Sequence, residues 1–305
     1  MIRNQNAECR MQNAERIKNA ALISAFCILH SAFAFVALAQ TDPYRPLGKL
    51  PLGDTLLNLP SPQIPTQGTW EVKFTHRFNQ SLTDGSLEDQ WHSFFGLDSN
   101  ADVVFGASWA LRRDLQFSLS RSNTNDTVEG ALKFVVLQQA AAVPASVTLR
   151  GGVDWRTERE LQDRTSFFAQ AIVSRQFGTK AELFLLPTFV TKAGRAVSGE
   201  TSVALFENAF NVPIAFAYRI KPPLSVIVEL VPPNSDLPEG MEADFGWAVG
   251  IKRAIGGHWF EVLVTNNQST LTDQYVTSTY QGSGLNLDDV KLGFNIERRF
   301  GRRRR

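Results

Sequence analysis

Apolar and polar residues alternate with a period of two along most of the chain between residues 69 and 300. In DVVFGASWAL (102–111), Val103, Phe105, Ala107, Trp109 and Leu111 share one parity, and Asp102, Val104, Gly106, Ser108 and Ala110 share the other. Successive side chains of a strand point to opposite faces, so this reads as a strand with one bulky apolar face and one small or polar face. Trp70, Val72, Phe74, His76 and Phe78 likewise oppose Glu71, Lys73, Thr75 and Arg77. Leu115, Phe117 and Leu119 oppose Gln116, Ser118 and Ser120, and Val128, Gly130, Leu132, Phe134 and Val136 oppose Glu129 and Lys133. Val147, Leu149, Val153 and Trp155 oppose Arg150, Asp154 and Arg156. Toward the end, Phe245, Trp247, Val249 and Ile251 oppose Asp244 and Lys252, while Val290, Leu292, Phe294, Ile296 and Phe300 oppose Lys291, Asn295, Glu297 and Arg299. The stretch 165–192 is apolar at both parities, which leaves its faces unassigned.

The pattern predicts twelve strands, roughly 69–78, 100–111, 115–122, 127–138, 145–157, 165–177, 180–192, 208–220, 224–231, 243–254, 258–267 and 288–300. Most are long enough to cross a bilayer as tilted strands, which takes about 9 to 11 residues. Short connections (RRD, QAAAVP, GT, KPP, IGG) alternate with mostly long polar ones (79–99, 158–164, 193–207, 232–242, 268–287), the exception being the short 123–126. A soluble sandwich or barrel explains the alternation of residues but not the alternation of loop lengths. An outer-membrane barrel explains both, with an even strand number, short turns and both termini on the periplasmic side, and long loops outside. The expected fold is therefore all-β: an antiparallel transmembrane β-barrel of about twelve strands.

The stretches FFGLDSNADVVFGASWAL (94–111), GGHWFEVLVTNN (256–267) and the closing LGFNIERRF (292–300) resemble a family of bacterial outer-membrane β-barrel proteins of unknown function, with a Gly-His-x-Phe strand ending in Thr-Asn and a last strand carrying Gly-Phe-Asn-Ile. The resemblance spans about residues 57–300 and implies the barrel, without an activity. The chain departs from the usual aromatic ending of such barrels in the GRRRR that follows Phe300.

Arg10, Arg16 and Lys18 precede an apolar run from Ala20 to Ala37, and Ala37-Leu38-Ala39 is a small-x-small cleavage signal. Residues 1–39 are thus expected to be a cleaved signal peptide, followed by a proline-rich segment (40–67), the barrel (68–300) and a basic tail (301–305). NAECRMQNAE (6–15) can be encoded by a repeated heptanucleotide whose reverse complement encodes SAFCILHSAF (24–33), so an inverted DNA repeat underlies the leader and leaves Met1 and Met11 as alternative starts. Both cysteines, Cys9 and Cys27, fall in the leader, which removes thiol nucleophiles, cysteine metal sites and disulfides from the mature chain. Without the leader, 27 basic residues face 28 acidic ones, four of the basic ones being Arg302–Arg305. That balance does not point to nucleic acid.

Candidate chemistry is sparse. There is no Gly-x-Ser-x-Gly elbow, His-Glu-x-x-His or phosphate loop, so no enzyme activity, cofactor or metal is expected. His258 and His76 have the parity of the lipid face and read as rim residues of an aromatic girdle. His92 lies in an acidic loop with Asp84, Glu88, Asp89 and Asp98 that lacks the spacing of a calcium loop. The lumen parity carries Glu71, Lys73, Arg77, Glu129, Lys133, Arg150, Asp154, Arg156, Asp244, Lys252, Trp259 and Glu261, the candidate pore-lining set. Ionised groups in a dry interior cost several kcal/mol unless paired, so these must pair with one another or sit in water. The expected function is a narrow pore for small polar solutes; the alternatives are a closed structural or binding barrel and a membrane-embedded lipid hydrolase. Expected partners are outer-membrane lipid and the barrel assembly machinery. Six of the fourteen prolines lie in 40–67, which either trails in the periplasm or folds into the lumen.

Overall fold

A computed structural model describes residues 50–301, apart from 84, 94, 158–163, 194–195, 199–200, 204–205, 234–243, 268 and 278–288; for 196–198, 201–203 and 206 it describes the backbone only. The expected signal peptide, the first part of the proline-rich segment and Arg302–Arg305 lie outside the described residues. Residues 46–139 and 145–305 form one compact unit, and 140–144 belong to a second, in which Ala140 and Val143 bridge each other.

Among the described residues the large unit is a closed antiparallel barrel of twelve strands. They are β1 (Trp70–Ser81), β2 (Ala101–Ala110), β3 (Leu115–Ser122), β4 (Thr127–Leu137), β5 (Ser146–Arg156) and β6 (Thr165–Phe177). β7 (Ala181–Leu185 and Thr188–Ala193) and β8 (Phe206–Asn211 and Ile214–Lys221) each run in two segments. β9 (Leu224–Val231), β10 (Gly246–Ile255), β11 (His258–Thr265) and β12 (Lys291–Phe300) complete the wall. Neighbours in sequence are neighbours in space, and β12 closes on β1 with Trp70 opposite Phe300 and Arg77 opposite Gly293. Closure leaves no unpaired edge, the condition for a sheet to stand in hydrocarbon.

The breaks in β7 and β8 have one cause. Pro187 and Pro213 lack an amide proton, so each interrupts its ladder. The strand neighbours compensate: the Ala171 amide donates to the Pro187 carbonyl at 3.0 Å and the Leu186 amide to the Pro213 carbonyl at 2.8 Å. The two pieces of β7 still pair with one continuous β6.

The parity read from sequence holds around the barrel. Phe105 and Val262 are 61% and 65% exposed on the outside, whereas Arg77 and Lys252 are 0% and 1% exposed within. Buried charge and exposed hydrocarbon together define a lipid-facing exterior. The strands apolar at both parities are explained by what they enclose. Phe168, Ile172, Phe184 and Val190 point inward and join a buried cluster with Leu50, Leu52, Leu56, Leu57 and Leu59 of the preceding segment. In the first outer loop, α1 (Leu87–His92) starts at a capping box in which the Ser86 amide and hydroxyl donate to the Asp89 carboxylate at 2.8 and 2.7 Å. Those bonds hold Asp89 below the usual carboxylate range, and His92 is exposed at the helix end.

One close approach constrains β4 against β5. A Cβ on Gly152 would fall on the Gly130 carbonyl oxygen and 2.6 Å from the Phe168 ring, whereas a Cβ on Gly130 meets nothing nearer than Val153 at 4.0 Å. Gly152→Ala should therefore lower the urea midpoint of the heat-modifiable folded band by about 1–3 kcal/mol equivalent, as overpacking does. Gly130→Ala should leave that midpoint unchanged in the same gel assay.

Candidate functional site

The lumen is built around the segment that precedes β1. Residues 50–65 enter from the short-turn end, turn at Leu57-Asn58 and return, a hairpin closed by a Thr55–Pro60 bridge and by the Leu56 amide donating to the Leu59 carbonyl at 2.7 Å. Its leucines are buried, and prolines at 51, 60, 62 and 65 reduce the number of amides that need acceptors. The amides that remain are buried away from water and must find partners.

Lumen side chains supply them. The Leu57, Asn58 and Leu59 amides all donate to the Glu229 carboxylate at 2.7, 2.9 and 3.1 Å. The Asp54 and Thr55 amides donate to Glu297 at 3.0 and 3.2 Å, as does the Thr55 hydroxyl. Carbonyls are met by cations and amides: Lys252 donates to Thr55 and Leu56, and Arg77 and Asn295 donate to Leu57. Arg77 also donates twice to the Asn58 side-chain oxygen, at 3.0 and 2.8 Å. Lys133 donates to the Asp54 carboxylate at 2.8 Å and to the Ser61 and Gln63 carbonyls, both at 3.1 Å. The Trp259 indole donates to the Pro51 carbonyl at 2.8 Å. Gly250 on β10 carries no side chain where Leu57 sits, since a Cβ there would lie 2.9 Å from a Leu57 methyl. Burial alone would push the Asp54 carboxyl up, but the Lys133 and Lys73 ammonium groups, with bonds from Lys133 and Gln116, hold it well below the usual range.

A second insertion comes from the opposite end. The loop after β11 carries α2 (Thr272–Tyr275), with Leu271, Tyr275 and Val276 buried. Glu129 accepts from the Thr272 amide and hydroxyl at 2.8 and 2.6 Å, and Arg150, itself paired with Glu129, donates to the same hydroxyl at 2.7 Å. Arg156 pairs with Asp273, whose amide donates to Asp154 at 3.3 Å. Gln170 donates to the Tyr275 hydroxyl at 2.6 Å, and burial pushes that phenol up to about 12.

Between the two insertions lies a polar cavity of about 30 Å³. It is lined by Asp54 and Asn58 of the hairpin, Thr270 and Tyr275 of the loop, and Lys73, Ser118, Ser120, Lys133 and Arg150 of the wall. That volume holds about two waters. Lys73 makes no hydrogen bond or ion pair among the described residues.

The twelve candidate lumen residues divide accordingly. Arg77, Lys133, Lys252 and Trp259 meet the hairpin, and Glu129, Arg150, Asp154 and Arg156 meet the loop. Glu261 faces Lys252 at 2.6 Å, Glu71 is held by Arg299 at 2.6 Å, and Asp244 is buried just before β10. Lys73 faces the cavity. Sequence reasoning left out of the candidate set Glu229 and Glu297, the carboxylates that accept the hairpin's amides at 54, 55 and 57–59. Glu297 had been placed on the lumen parity, and Glu229 is the lone acid in LSVIVELV, a signal in itself. His76 and His258 stand on the outer face among rings, His76 at 5.0 Å from Phe294 and His258 at 6.0 Å from Phe260. Neither has a serine hydroxyl as a hydrogen-bond partner among the described residues, and those residues hold no group of three or more potential metal ligands.

Residues 53–300 match the family model described as a membrane-bound beta barrel domain (DUF5777). The chain belongs to that family. It is a membrane-bound β-barrel. No curated protein matches the chain. Solved structures similar to it include the NanC porin (8% identity, TM-score 0.46, covering 76% of this chain and 100% of that one). Others are the COG4313 outer membrane channel from Pseudomonas putida F1 (10%, 0.48, 78% and 97%) and outer membrane phospholipase A from Escherichia coli (8%, 0.38, 77% and 93%).

Glu229→Ala withdraws the acceptor of three buried amides. Leaving a buried donor unsatisfied costs about 1–3 kcal/mol. Amide hydrogen exchange at residues 57–59 should rise sharply in the variant while exchange in β1–β6 stays as in the wild type.

Proposed function

We propose that this barrel is a channel for small polar solutes, held closed by the hairpin of residues 50–65. The observation that carries the reading is how the hairpin is held: by ionised side chains of the wall acting on its backbone. A permanent plug needs its backbone groups satisfied but can be held by neutral side chains, and buried ion pairs can be replaced by apolar residues of similar volume without loss of stability. Ionised groups suit in addition a lumen that fills with water when the hairpin leaves. Water then solvates Glu229, Glu297, Lys252 and Lys133, and the vacated space joins the cavity beside Lys73, Ser118 and Ser120. The solute path in this reading runs along the β1–β5 wall, where the side chains of Gly106, Ser108, Ser118 and Ser120 are small. The role is one of passage, without bond chemistry.

A closed structural barrel is the second reading, favoured by the filling of the lumen from both ends. Planar-bilayer recordings separate the two. The full chain should show low, intermittent conductance, and a variant lacking residues 50–65 a steady one. A hairpin-less variant that migrates as a folded, heat-modifiable barrel and conducts no ions overturns the channel. In the conducting variant, Lys73→Glu should move the reversal potential in a salt gradient toward cation selectivity, because it reverses a charge that faces the path.

A further inference from the structure

The outer face of β9–β12 and β1 is apolar, His76 of β1 aside, until the short-turn end, where three cationic or polar side chains gather. Register places His258 opposite Ile255 on one side and opposite Arg298 on the other, and Arg253 opposite Phe260 one outward position away. Arg253 and Arg298 are both exposed on the lipid-facing parity. Neither makes a hydrogen bond or ion pair among the described residues; the Arg298 guanidinium lies 4.7 Å from the centre of the Phe300 ring. No lipid-facing position of these five strands is an acid. The carboxylates nearby, Glu71, Glu261 and Glu297, all point inward. The contrast within one dipeptide is direct: Arg299 turns in and binds Glu71, while Arg298 turns out and has no carboxylate.

Depth argues for the missing partner. Trp70, opposite Phe300, stacks on Trp109 at 5.0 Å, and such aromatic belts sit at the headgroup level. Arg298, opposite Val72, stands one outward position further in. A guanidinium at that depth is close enough to the interface to be tolerated and is best satisfied by a phosphate, which accepts paired N–H bonds. Further in, Ile251, Val262 and Ile296 offer hydrocarbon on the same strands. Arg253 and Arg298 flank one intervening strand and are offset by two residues along it, which puts their backbones about 12 Å apart.

We propose that Arg253, His258 and Arg298 form a binding site for the headgroup phosphate of an anionic phospholipid in the leaflet at the short-turn end, which is the periplasmic one in outer-membrane barrels. The site does not depend on whether the barrel conducts. Native mass spectrometry of the full chain from detergent micelles tests it, with phosphatidylglycerol, phosphatidylcholine and inorganic phosphate as probes. The wild type should retain phosphatidylglycerol over phosphatidylcholine. Arg253→Gln with Arg298→Gln should reduce that preference by on the order of tenfold to thirtyfold, each guanidinium contributing about equally. Each single variant should lose part of it, which serves if the double variant does not fold. The control, Arg112→Gln with Arg113→Gln, makes the same charge change at another turn and should keep the preference. Equal loss in the control, no preference in the wild type, or complete displacement of lipid by inorganic phosphate would each overturn the site.

Discussion

The structure depends on one constraint: a non-helical segment placed inside a barrel has to satisfy its backbone polar groups with side chains of the wall. Unpaired amides and carbonyls in a dry interior each cost a kcal/mol or more. Residues 50–65 have no neighbouring strand to pair with, so carboxylates replace strand carbonyls and ammonium groups replace strand amides. Glu229 takes three amides and Glu297 two. Those carboxylates in turn need cations, and Lys252, lying 2.6 Å from Glu261 and 3.7 Å from Glu297 while donating to two hairpin carbonyls, serves both charge and backbone. The mixed signs of the lumen follow from this requirement. A lumen of one sign could not meet donors and acceptors together.

The wall is accordingly specialised by sector. β9–β12 and β1 hold the hairpin tip through Glu229, Lys252, Glu297 and Arg77, while β4 and β5 hold the outer loop through Glu129, Arg150, Asp154 and Arg156. Lys133 belongs to the hairpin, although it lies on β4 beside the loop-binding residues. β2 and β3 make fewer bonds to the two insertions: Gln116 donates to Asp54 of the hairpin and Asp102 accepts from Ser269 of the loop. Gly106, Ser108, Ser118 and Ser120 are small, and open volume of the lumen lies against them. A twelve-stranded barrel lies between those that side chains alone can fill, at about eight strands, and open pores of about sixteen. Here two inserted segments make up the difference, which is why the cavity where they meet is small.

Much of this was legible in the sequence. Period-two alternation located twelve strands, and parity assigned Glu71, Arg77, Glu129, Lys252 and the others to the inward side, because a lipid exterior admits little but hydrocarbon. The stretch 165–192 resisted for a reason the fold makes plain. Its inner face packs on hairpin leucines far away in sequence, so both faces are apolar and alternation disappears. The strand breaks at Pro187 and Pro213 were marked by proline itself, yet apolar residues continue on both sides of each. The choice between a trailing and an inserted proline-rich segment could not be made from residues 40–67 alone, since the groups that decide it, Glu229 and Glu297, lie some 170 and 240 residues further on.

The same alternation has a second consequence at the end of the chain, in Glu297-Arg298-Arg299-Phe300. Glu297 and Arg299 point into the lumen, the first to hairpin amides and the second to Glu71. Arg298 and Phe300 point outward, the guanidinium against the ring. A strand in a membrane thus places consecutive charges in two solvents, one a lumen that provides counter-charges and the other a leaflet whose headgroups do. For the inner pair the counter-charge is encoded in the chain, and its loss would leave a buried ion unpaired. For the outer arginine no carboxylate lies within reach among the described residues, so the compensating charge comes from the membrane in this reading, and the depth at which Arg298 is tolerated is set by where that membrane places its phosphates.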